Sequence, residues 1–183
     1  IIMQSSNSYF CIMGTEIVTS YFKNFFVDND INTKNFKFLL AVSGGVDSMV
    51  LLDLFKESKL KFSVASFDFN LRPYDSRKDL KLVKSICAEN NVKFYSEEFN
   101  TVEYSKKNKI SVQMAARNLR YRSLDKILNN YNYKFIVTAH HNDDNLETIL
   151  FNFIKTTGYK GLLGVPRNKN NILRPLIDLS KDE

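Results

Sequence analysis

Cysteine, proline and glycine are all scarce in this chain, and each shortage excludes a class of protein. The 183 residues include two cysteines, three prolines and six glycines. Cys11 and Cys87 lie far apart and form no C-x-x-C pair, which argues against a disulfide scaffold, a zinc site and a dithiol enzyme. So little glycine and proline excludes a collagen-like or linker-dominated chain.

Long apolar runs are missing as well. No unbroken apolar run is longer than five residues, the length of residues 38–42, whereas about 20 are needed to cross a bilayer. The first basic residue is Lys23, so the start of the chain lacks the charged region of a secretory signal. These absences predict a protein that does not span a membrane and resides in the reducing cytoplasm.

The chain is rich in apolar residues and carries an excess of positive charge. Hydrophobic residues make up 44% of it, enough for the core of one globular domain. Twenty-six Lys and Arg residues against 20 Asp and Glu residues give a net charge of +6. Such a balance suits a polyanionic partner, and a solvated basic surface explains it equally well.

The two ends of the sequence suggest a piece of a longer protein. The first residue is not methionine, and Met3 and Met13 are both possible starts. We therefore treat residues 1–15 as an uncertain extension and expect the domain to occupy residues 16–183. The last four residues, Ser-Lys-Asp-Glu, match a capping box that opens a helix. This favours truncation before a further region over a frayed tail.

Apolar segments alternate with amphipathic ones along the chain. Strands are predicted at 36–42, 62–67, 92–96 and 135–139, and helices at about 47–57, 76–89, 111–129 and 143–155. This alternation predicts an α/β fold, a parallel sheet with helices on both faces. Ligands of such sheets bind beyond the carboxyl ends of the strands, so the residues after each strand are the first functional candidates.

The segment after the first strand, Ser43-Gly44-Gly45-Val46-Asp47-Ser48, is predicted to bind an anion. Its two glycines allow a tight turn that brings backbone N–H groups towards the ligand, and the next helix adds its positive end. Ser43 and Ser48 could add hydrogen bonds, and Asp47 could hold a divalent metal on phosphates. No Walker A or G-x-G motif occurs. The alternative is a plain turn with Asp47 or Ser48 as the helix N-cap.

This segment resembles the S-G-G-x-D-S loop of the PP-loop ATP pyrophosphatases. The resemblance implies a Rossmann-like domain of the adenine nucleotide α-hydrolase type that cleaves ATP between its α and β phosphates. Such a domain transfers AMP to a substrate oxygen while the loop holds pyrophosphate. The resemblance also makes all six loop residues an ATP site, namely Ser43, Gly44, Gly45, Val46, Asp47 and Ser48.

Five further segments resemble, in order, motifs of the tRNA(Ile)-lysidine synthetases within that superfamily. They are residues 67–72, the A-A-R-x-x-R-Y helix at 115–121, T-A-H-H-x-D-D-x-x-E-T at 138–148, and T-G-x-x-G-L at 157–162 followed by R-P-L at 174–176. The first segment departs from the family pattern, since Ser66 and Phe69 stand where the family has histidines and Asn70 where it has glycine. Any role of those histidines is therefore not carried over.

Candidate site residues follow from these motifs. The catalytic candidates are Asp47, His141, Asp144 and Glu147, with Asp47 and Asp144 as Mg²⁺ ligands. The RNA-binding candidates are Arg117, Arg120, Arg122, Lys160 and Arg174. Arg117, Arg120 and Arg122 could equally belong to a solvated helix face, and Gly158, Gly161 and Gly164 could simply mark a turn. A zinc site on His140 and His141 is disfavoured because neighbouring residues tend to point in opposite directions. Asn142 or Asp143 could cap the last helix.

One amphipathic helix carries most of these arginines. Its predicted buried face has the i, i+3, i+4, i+7 spacing of Val112, Ala115, Ala116 and Leu119. Arg117 and Arg122 fall outside that stripe.

The resemblance implies one reaction and its partners. ATP adenylates the C2 oxygen of the wobble cytidine of tRNA(Ile) with a CAU anticodon, and free L-lysine then displaces AMP to give lysidine. Mg²⁺ would assist, and the chain could form a homodimer. The alternatives are a tRNA thiolase, for which neither Cys11 nor Cys87 is well placed, another PP-loop enzyme acting on a small molecule, and an ATP-binding fragment without turnover.

Overall fold

The computed structural model describes residues 5–71, 75–154 and 163–180. Their helices and strands follow one another as α1 (Ser5–Asp28), β1 (Phe38–Ala41), α2 (Val46–Glu57), β2 (Phe62–Asp68), α3 (Asp75–Glu89), β3 (Phe94–Glu98), α4 (Thr101–Asn108), α5 (Val112–Asn130), β4 (Phe135–Thr138), α6 (Asn142–Ile154), β5 (Asn168–Lys169) and β6 (Ile172–Leu173).

The strands form one sheet in the order β3-β2-β1-β4-β6-β5. All neighbouring strands are parallel except β5, which runs antiparallel to β6. Phe38 of β1 lies beside Phe62 on one side and Phe135 on the other. The strand order reverses direction between β1 and β4, and a crevice for a ligand opens at such a switch point. The predicted parallel α/β fold is confirmed.

Helices cover both faces of this sheet, which explains why the central strands are apolar throughout. On one face, Phe22 and Phe26 of α1 pack edge-to-face against Phe55 of α2. On the other face, Leu124 of α5 joins Leu39 and Ile136 in a second cluster. The sheet is thus held from both sides, and its carboxyl edge stays open.

Several elements were absent from the sequence-based prediction. Helix α1 runs through residue 15, α4 lies between β3 and α5, and β5 and β6 form a short hairpin. Within α5, Ala115 and Leu119 are buried as predicted, whereas Val112 is 37% exposed. The burial predicted for Val112 is wrong because it is the first residue of the helix, next to the N-cap Ser111. The domain boundary near residue 15 stays a prediction.

In the part of the chain that the structure describes, every helix is too short or too polar to cross a bilayer.

Candidate active site

The loop of residues 43–48 joins β1 to α2 and is shaped by Gly44. Its φ of +92° lies in the region that glycine favours. A Cβ atom at this position would lie 2.6 Å from the Cβ of Asp79 and 3.1 Å from its Cα. Helix α3 therefore packs directly on the loop, and no larger residue fits at Gly44.

The Ser48 side chain organises the loop from inside. Its hydroxyl oxygen accepts hydrogen bonds from the N–H groups of Ser43 and Gly44, each at 3.2 Å, and donates one to the carbonyl of Gly45 at 2.8 Å. Ser48 is 5% exposed. In this conformation two of the N–H groups expected to face a ligand are occupied by Ser48.

Helix α2 begins without a side-chain cap. Gly45 is the N-cap residue and offers no side-chain hydrogen bond to the first turn, so the alternative in which Asp47 or Ser48 caps the helix is wrong. An uncapped first turn leaves N–H groups unpaired and concentrates positive potential there. The amino-terminal end of α2 is therefore suited to the anion predicted for this loop.

The His141 ring brings together the end of β4 and the start of α2. Its Nε2 atom lies 3.7 Å from an Asp47 carboxylate oxygen and 3.6 Å from one of Asp144, while Nδ1 lies 3.4 Å from Asp143. The side chain is only 13% exposed, and Nδ1 makes no hydrogen bond among the described residues. Three of the four predicted catalytic residues thus converge.

Asp144 also fixes the start of α6. Its carboxylate accepts a hydrogen bond at 3.1 Å from the backbone N–H of His141, which immediately precedes the helix. This is the acidic half of a capping box. Asn142 and Asp143, either of which was predicted to be the N-cap, lie inside the helix because α6 begins at Asn142. The fourth predicted catalytic residue, Glu147, lies one turn further along and is exposed. The structure does not bring Glu147 into the cavity described below.

His140 is held apart from His141. Its Nδ1 atom hydrogen-bonds with the Thr138 hydroxyl at 2.8 Å. Burial, and then the positive charge of Arg174, lower the pKa of His140 to about 4, so this imidazole is neutral at pH 7. The two rings have different partners, and the described residues contain no group of three or more His, Cys, Asp or Glu side chains arranged for a metal ion.

Three arginines surround this region. Arg120 lines the cavity, with its guanidinium carbon 5.4 Å from the Phe69 ring centroid. Arg117 is exposed and lies 4.9 Å from the Tyr121 ring centroid. Arg174 is 6% exposed, hydrogen-bonds to the Pro166 carbonyl at 2.8 Å and contacts the Tyr121 hydroxyl.

Burial lowers the pKa of both Arg120 and Arg174, and the charge of Arg117 lowers each further. Within the described chain, no carboxylate forms an ion pair with any of the three. Crowded cations without anionic partners make the region attractive to a polyanionic ligand.

A cavity of about 250 Å³ lies at the carboxyl ends of β1, β2 and β4. Its polar side is formed by Ser43, Gly45, Asp47, Ser48, Arg120, Thr138, His140 and Asp144, and its apolar side by Ala41, Val42, Ala65, Phe67, Phe69, Tyr121 and Ala139. Phe69, which stands at a histidine position of the family, thus forms part of the apolar wall. Ser66, at the other histidine position, is buried in β2.

The remaining predicted residues fall elsewhere. Arg122 is exposed on α5 and does not line the cavity. Lys160, together with Gly158 and Gly161, lies outside the described residues, as does the last part of the capping box at 181–183. Gly164 has a φ of +66° and packs against Asn145 of α6, whose side chain accepts a hydrogen bond from the Val165 N–H at 2.7 Å.

Two residues at the site were not singled out from the sequence. Asp79 supports the loop from α3, and no motif marks it. Tyr121 joins the apolar wall, Arg117 and Arg174. The signal for Tyr121 was its place at the end of the A-A-R-x-x-R-Y segment.

The fold and this site define a nucleotide-binding α/β domain with a phosphate-binding loop. Residues 15–183 match the family model of the PP-loop domain. The chain belongs to this PP-loop family.

Curated relatives narrow the resemblance further. The chain is 38% identical over 147 residues to a tRNA(Ile)-lysidine synthase of Bacteroides thetaiotaomicron, covering 80% of the chain and 34% of that protein. It is 38% identical over 154 residues to that of Thermosipho africanus, covering 82% and 36%. A third, from Petrotoga mobilis, is 36% identical over 163 residues, covering 87% and 52%. The matched region thus spans 34% to 52% of the length of these relatives.

Solved structures share the fold. The U34-tRNA thiolase NcsA from Methanococcus maripaludis superposes with a TM-score of 0.76 at 17% identity, covering 92% of this chain and 61% of that one. The NH3-dependent NAD synthetase from Campylobacter jejuni gives a TM-score of 0.56 at 15% identity, covering 92% and 68%. At these identities the likeness concerns the fold alone.

Proposed function

We propose that this chain is the adenylating domain of a tRNA(Ile)-lysidine synthase. In the proposed reaction ATP adenylates the C2 oxygen of the wobble cytidine of tRNA(Ile) with a CAU anticodon and releases pyrophosphate. The ε-amine of L-lysine then attacks C2, and AMP leaves. The observation that carries this proposal is one cavity lined by the phosphate loop, by Asp47 and Asp144, which flank His141, and by Arg120, which has no carboxylate ion pair among the described residues.

The two sides of the cavity suit the two parts of ATP. The uncapped first turn of α2 offers N–H groups and positive potential to the phosphates, and Arg120 adds a partly desolvated charge. Charge that develops as pyrophosphate leaves would be stabilised by these preorganised donors. The apolar wall, with Phe67 and Phe69, suits the adenosine.

The donor set fits Mg²⁺. Asp47 and Asp144 both line the cavity and both place a carboxylate oxygen within 3.7 Å of one His141 nitrogen. Carboxylate oxygens are the protein ligands that Mg²⁺ prefers, alongside phosphate oxygens and water. When bound there, the metal would neutralise charge on the phosphates. Asp47 and Asp144 are the residues proposed to hold it.

The attacking amine must lose a proton. A lysine ammonium has a reference pKa near 10.4, so at pH 7 only about 1 in 2,500 molecules is neutral, a cost of about 4.6 kcal/mol. His141 Nε2, which lies 3.6 Å from Asp144, is proposed to accept that proton. Glu147, exposed at the next turn of α6, is proposed to meet the substrate from outside the cavity.

The tRNA is proposed to approach across α5. Arg117 and Arg122 are exposed there, and Lys160 belongs to the same proposal from its position in the sequence. Arg174 is buried and holds Pro166 and Tyr121, so we propose that it shapes the RNA-facing surface and adds its charge to it. The cytoplasmic location and a homodimeric state are part of the same proposal.

A thiolase is the second candidate, and the described cysteine disfavours it. Cys87 is 1% exposed in α3, and burial raises the pKa of its thiol to about 11. A thiolate is the reactive form of cysteine, so Cys87 is not suited to carry sulfur.

The direct test is incorporation of radiolabelled lysine into RNA. The chain is incubated with ATP, magnesium, [14C]-lysine and a tRNA(Ile) transcript with a CAU anticodon, and acid-precipitable counts are measured. Counts that disappear when the wobble C is changed to U would support lysidine formation. ATP binding without counts, both in this chain and in one extended past residue 183, would contradict the proposal.

A further inference from the structure

A second groove lies at the opposite edge of the sheet, where β1 and β2 begin. It has a volume of about 690 Å³ and is bordered by the residues at the ends of α2, α3 and α5. Four of its lining residues are lysines, namely Lys37, Lys56, Lys61 and Lys93, and none is acidic. We call it the lysine groove. It shares no lining residue with the cavity at the carboxyl ends.

The lysine groove carries more positive charge than is needed to balance the negative carboxyl ends of the helices beside it. Each helix carboxyl end carries about half a negative charge, so three ends account for about one and a half. Lys56 lies 3.3 Å from Asp53. The other three lysines are exposed and pair with no carboxylate among the described residues. The groove therefore keeps a surplus of positive charge that favours an anionic ligand.

Aromatic rings border the same groove, and neighbouring side chains hold them in place. Tyr133 is 7% exposed, donates a hydrogen bond to Ser63 at 2.7 Å and bonds to the Tyr95 hydroxyl at 3.0 Å. Tyr131 is 50% exposed, with its ring centroid 5.0 Å from that of Tyr95. The Lys93 ammonium lies 4.4 Å from the Tyr131 ring centroid. A positioned, half-exposed ring thus stands directly beside a cation.

We propose that the lysine groove binds an unpaired stretch of RNA. Ammonium groups from Lys37, Lys61 and Lys93 would contact phosphates, and the Tyr131 ring would stack under one base. Basic grooves that combine cations with an aromatic platform bind single strands in this way. Bases in a duplex are already stacked on each other, so the ring favours single-stranded over double-stranded RNA. The proposal does not depend on lysidine formation.

Photocrosslinking tests the location directly. A 12-nucleotide RNA that carries 4-thiouridine is irradiated with the 183-residue chain, and crosslinked peptides are identified by mass spectrometry. We expect peptides that contain Lys93 or Tyr131. Crosslinks confined to the exposed arginines of α5, or scattered over the surface, would overturn the proposal.

Matched variants test the charges. Lys61→Gln/Lys93→Gln removes two groove lysines, and Lys81→Gln/Lys84→Gln removes two exposed lysines from the middle of α3. Binding of the labelled 12-mer is followed by fluorescence anisotropy between 50 and 200 mM KCl. The groove variant should flatten the log–log salt slope by about 1.4, and the α3 variant should leave it unchanged. Equal changes of the salt slope in the two variants would indicate non-specific electrostatic attraction and contradict RNA binding at the lysine groove.

The ring has its own test. Tyr131→Leu should weaken binding of the single-stranded 12-mer about tenfold because one stacking contact is lost, and it should leave binding of a 12-base-pair RNA duplex unchanged. Circular dichroism would verify that each variant folds. Duplex binding as tight as that of the single strand, or an unchanged affinity in Tyr131→Leu, would overturn the single-strand assignment.

Discussion

The two edges of the sheet carry positive charge in different ways. At the carboxyl edge, Arg120 is half-buried and Arg174 is buried, and Arg120 lines the same cavity as the carboxylates of Asp47 and Asp144. At the amino edge, the groove lysines are mostly exposed and no acid lines the surface. Charges of mixed sign gathered around a cavity favour reaction chemistry, whereas exposed charges of one sign favour attraction of a polyanion.

The topology of a parallel sheet produces this division. Each crossover helix starts near the carboxyl edge and ends near the amino edge, so positive helix ends gather at one edge and negative ends at the other. The carboxyl edge presents backbone N–H groups, as at the start of α2, and these suit an anion. The amino edge needs lysine side chains to become positive at all.

The largest expected effect is at Asp47. Asp47→Ala removes one of the two proposed metal ligands and a neighbour of His141, and it should lower lysine incorporation at least about 100-fold. Glu57→Ala, which removes an exposed carboxylate from the same helix, is the matched control. Thermal unfolding of both variants would be recorded. Turnover at the wild-type rate in Asp47→Ala would refute the metal role.

Next comes the pH dependence set by His140. Its pKa is about 4 in the folded chain and about 6.5 when unfolded, so the unfolded state binds more protons between these values. Stability should therefore fall by about 3 kcal/mol as pH decreases from 7 to 4. His140→Gln should lose that part of the slope in urea titrations at several pH values. An identical slope in both proteins would contradict a buried neutral imidazole.

The phosphate loop offers a matched pair of glycines. Gly44→Ala should destabilise the fold by about 2 kcal/mol, since a positive φ costs roughly 1–2 kcal/mol for other residues and the new Cβ would meet Asp79. Gly45→Ala meets only the Ser43 hydroxyl at 3.6 Å and should change stability little. The two free energies of unfolding, measured in urea, check this. Equal values would mean that α3 does not press on Gly44.

The smallest expected effect is on tRNA binding. Arg117→Ala should flatten the log–log salt dependence of tRNA(Ile) affinity by roughly 0.7–0.9, because one phosphate contact is lost. Lys126→Ala, an exposed position on the same helix, serves as the control. Filter binding at four salt concentrations gives the slope. If the two variants have the same salt slope, Arg117 belongs to a solvated helix face.

The sequence predicted the features that depend on local pattern. The alternation of strands and helices gave the parallel sheet, and the glycine turn gave the loop between β1 and α2. Helix α1 was missed although Phe22, Phe25 and Phe26 carry a helical spacing, because no cap or turn signal marked its start. Strands can be predicted only where they are long enough to leave a pattern in the sequence. Strands β5 and β6 have two residues each and were therefore missed.

Side-chain details of the site could not be predicted, since they depend on contacts between distant segments. The Ser48 hydroxyl points into its own loop, and Asp144 closes the start of α6. Arg174 was expected at an RNA surface, yet it is 6% exposed because Pro166 and Tyr121 enclose it. Residue type and spacing do not reveal which of several arginines is enclosed.

The most direct test of the account is ATP binding at the carboxyl edge. Isothermal titration of the α,β-methylene analogue of ATP with magnesium compares the wild-type chain, Arg120→Gln and Lys126→Gln. Because Arg120 lines the cavity and a hydrogen bond to a charged group contributes roughly 1.5–3 kcal/mol, Arg120→Gln should bind at least about tenfold more weakly. Lys126→Gln should match the wild type. Equal affinity in all three proteins would contradict an ATP site in this cavity.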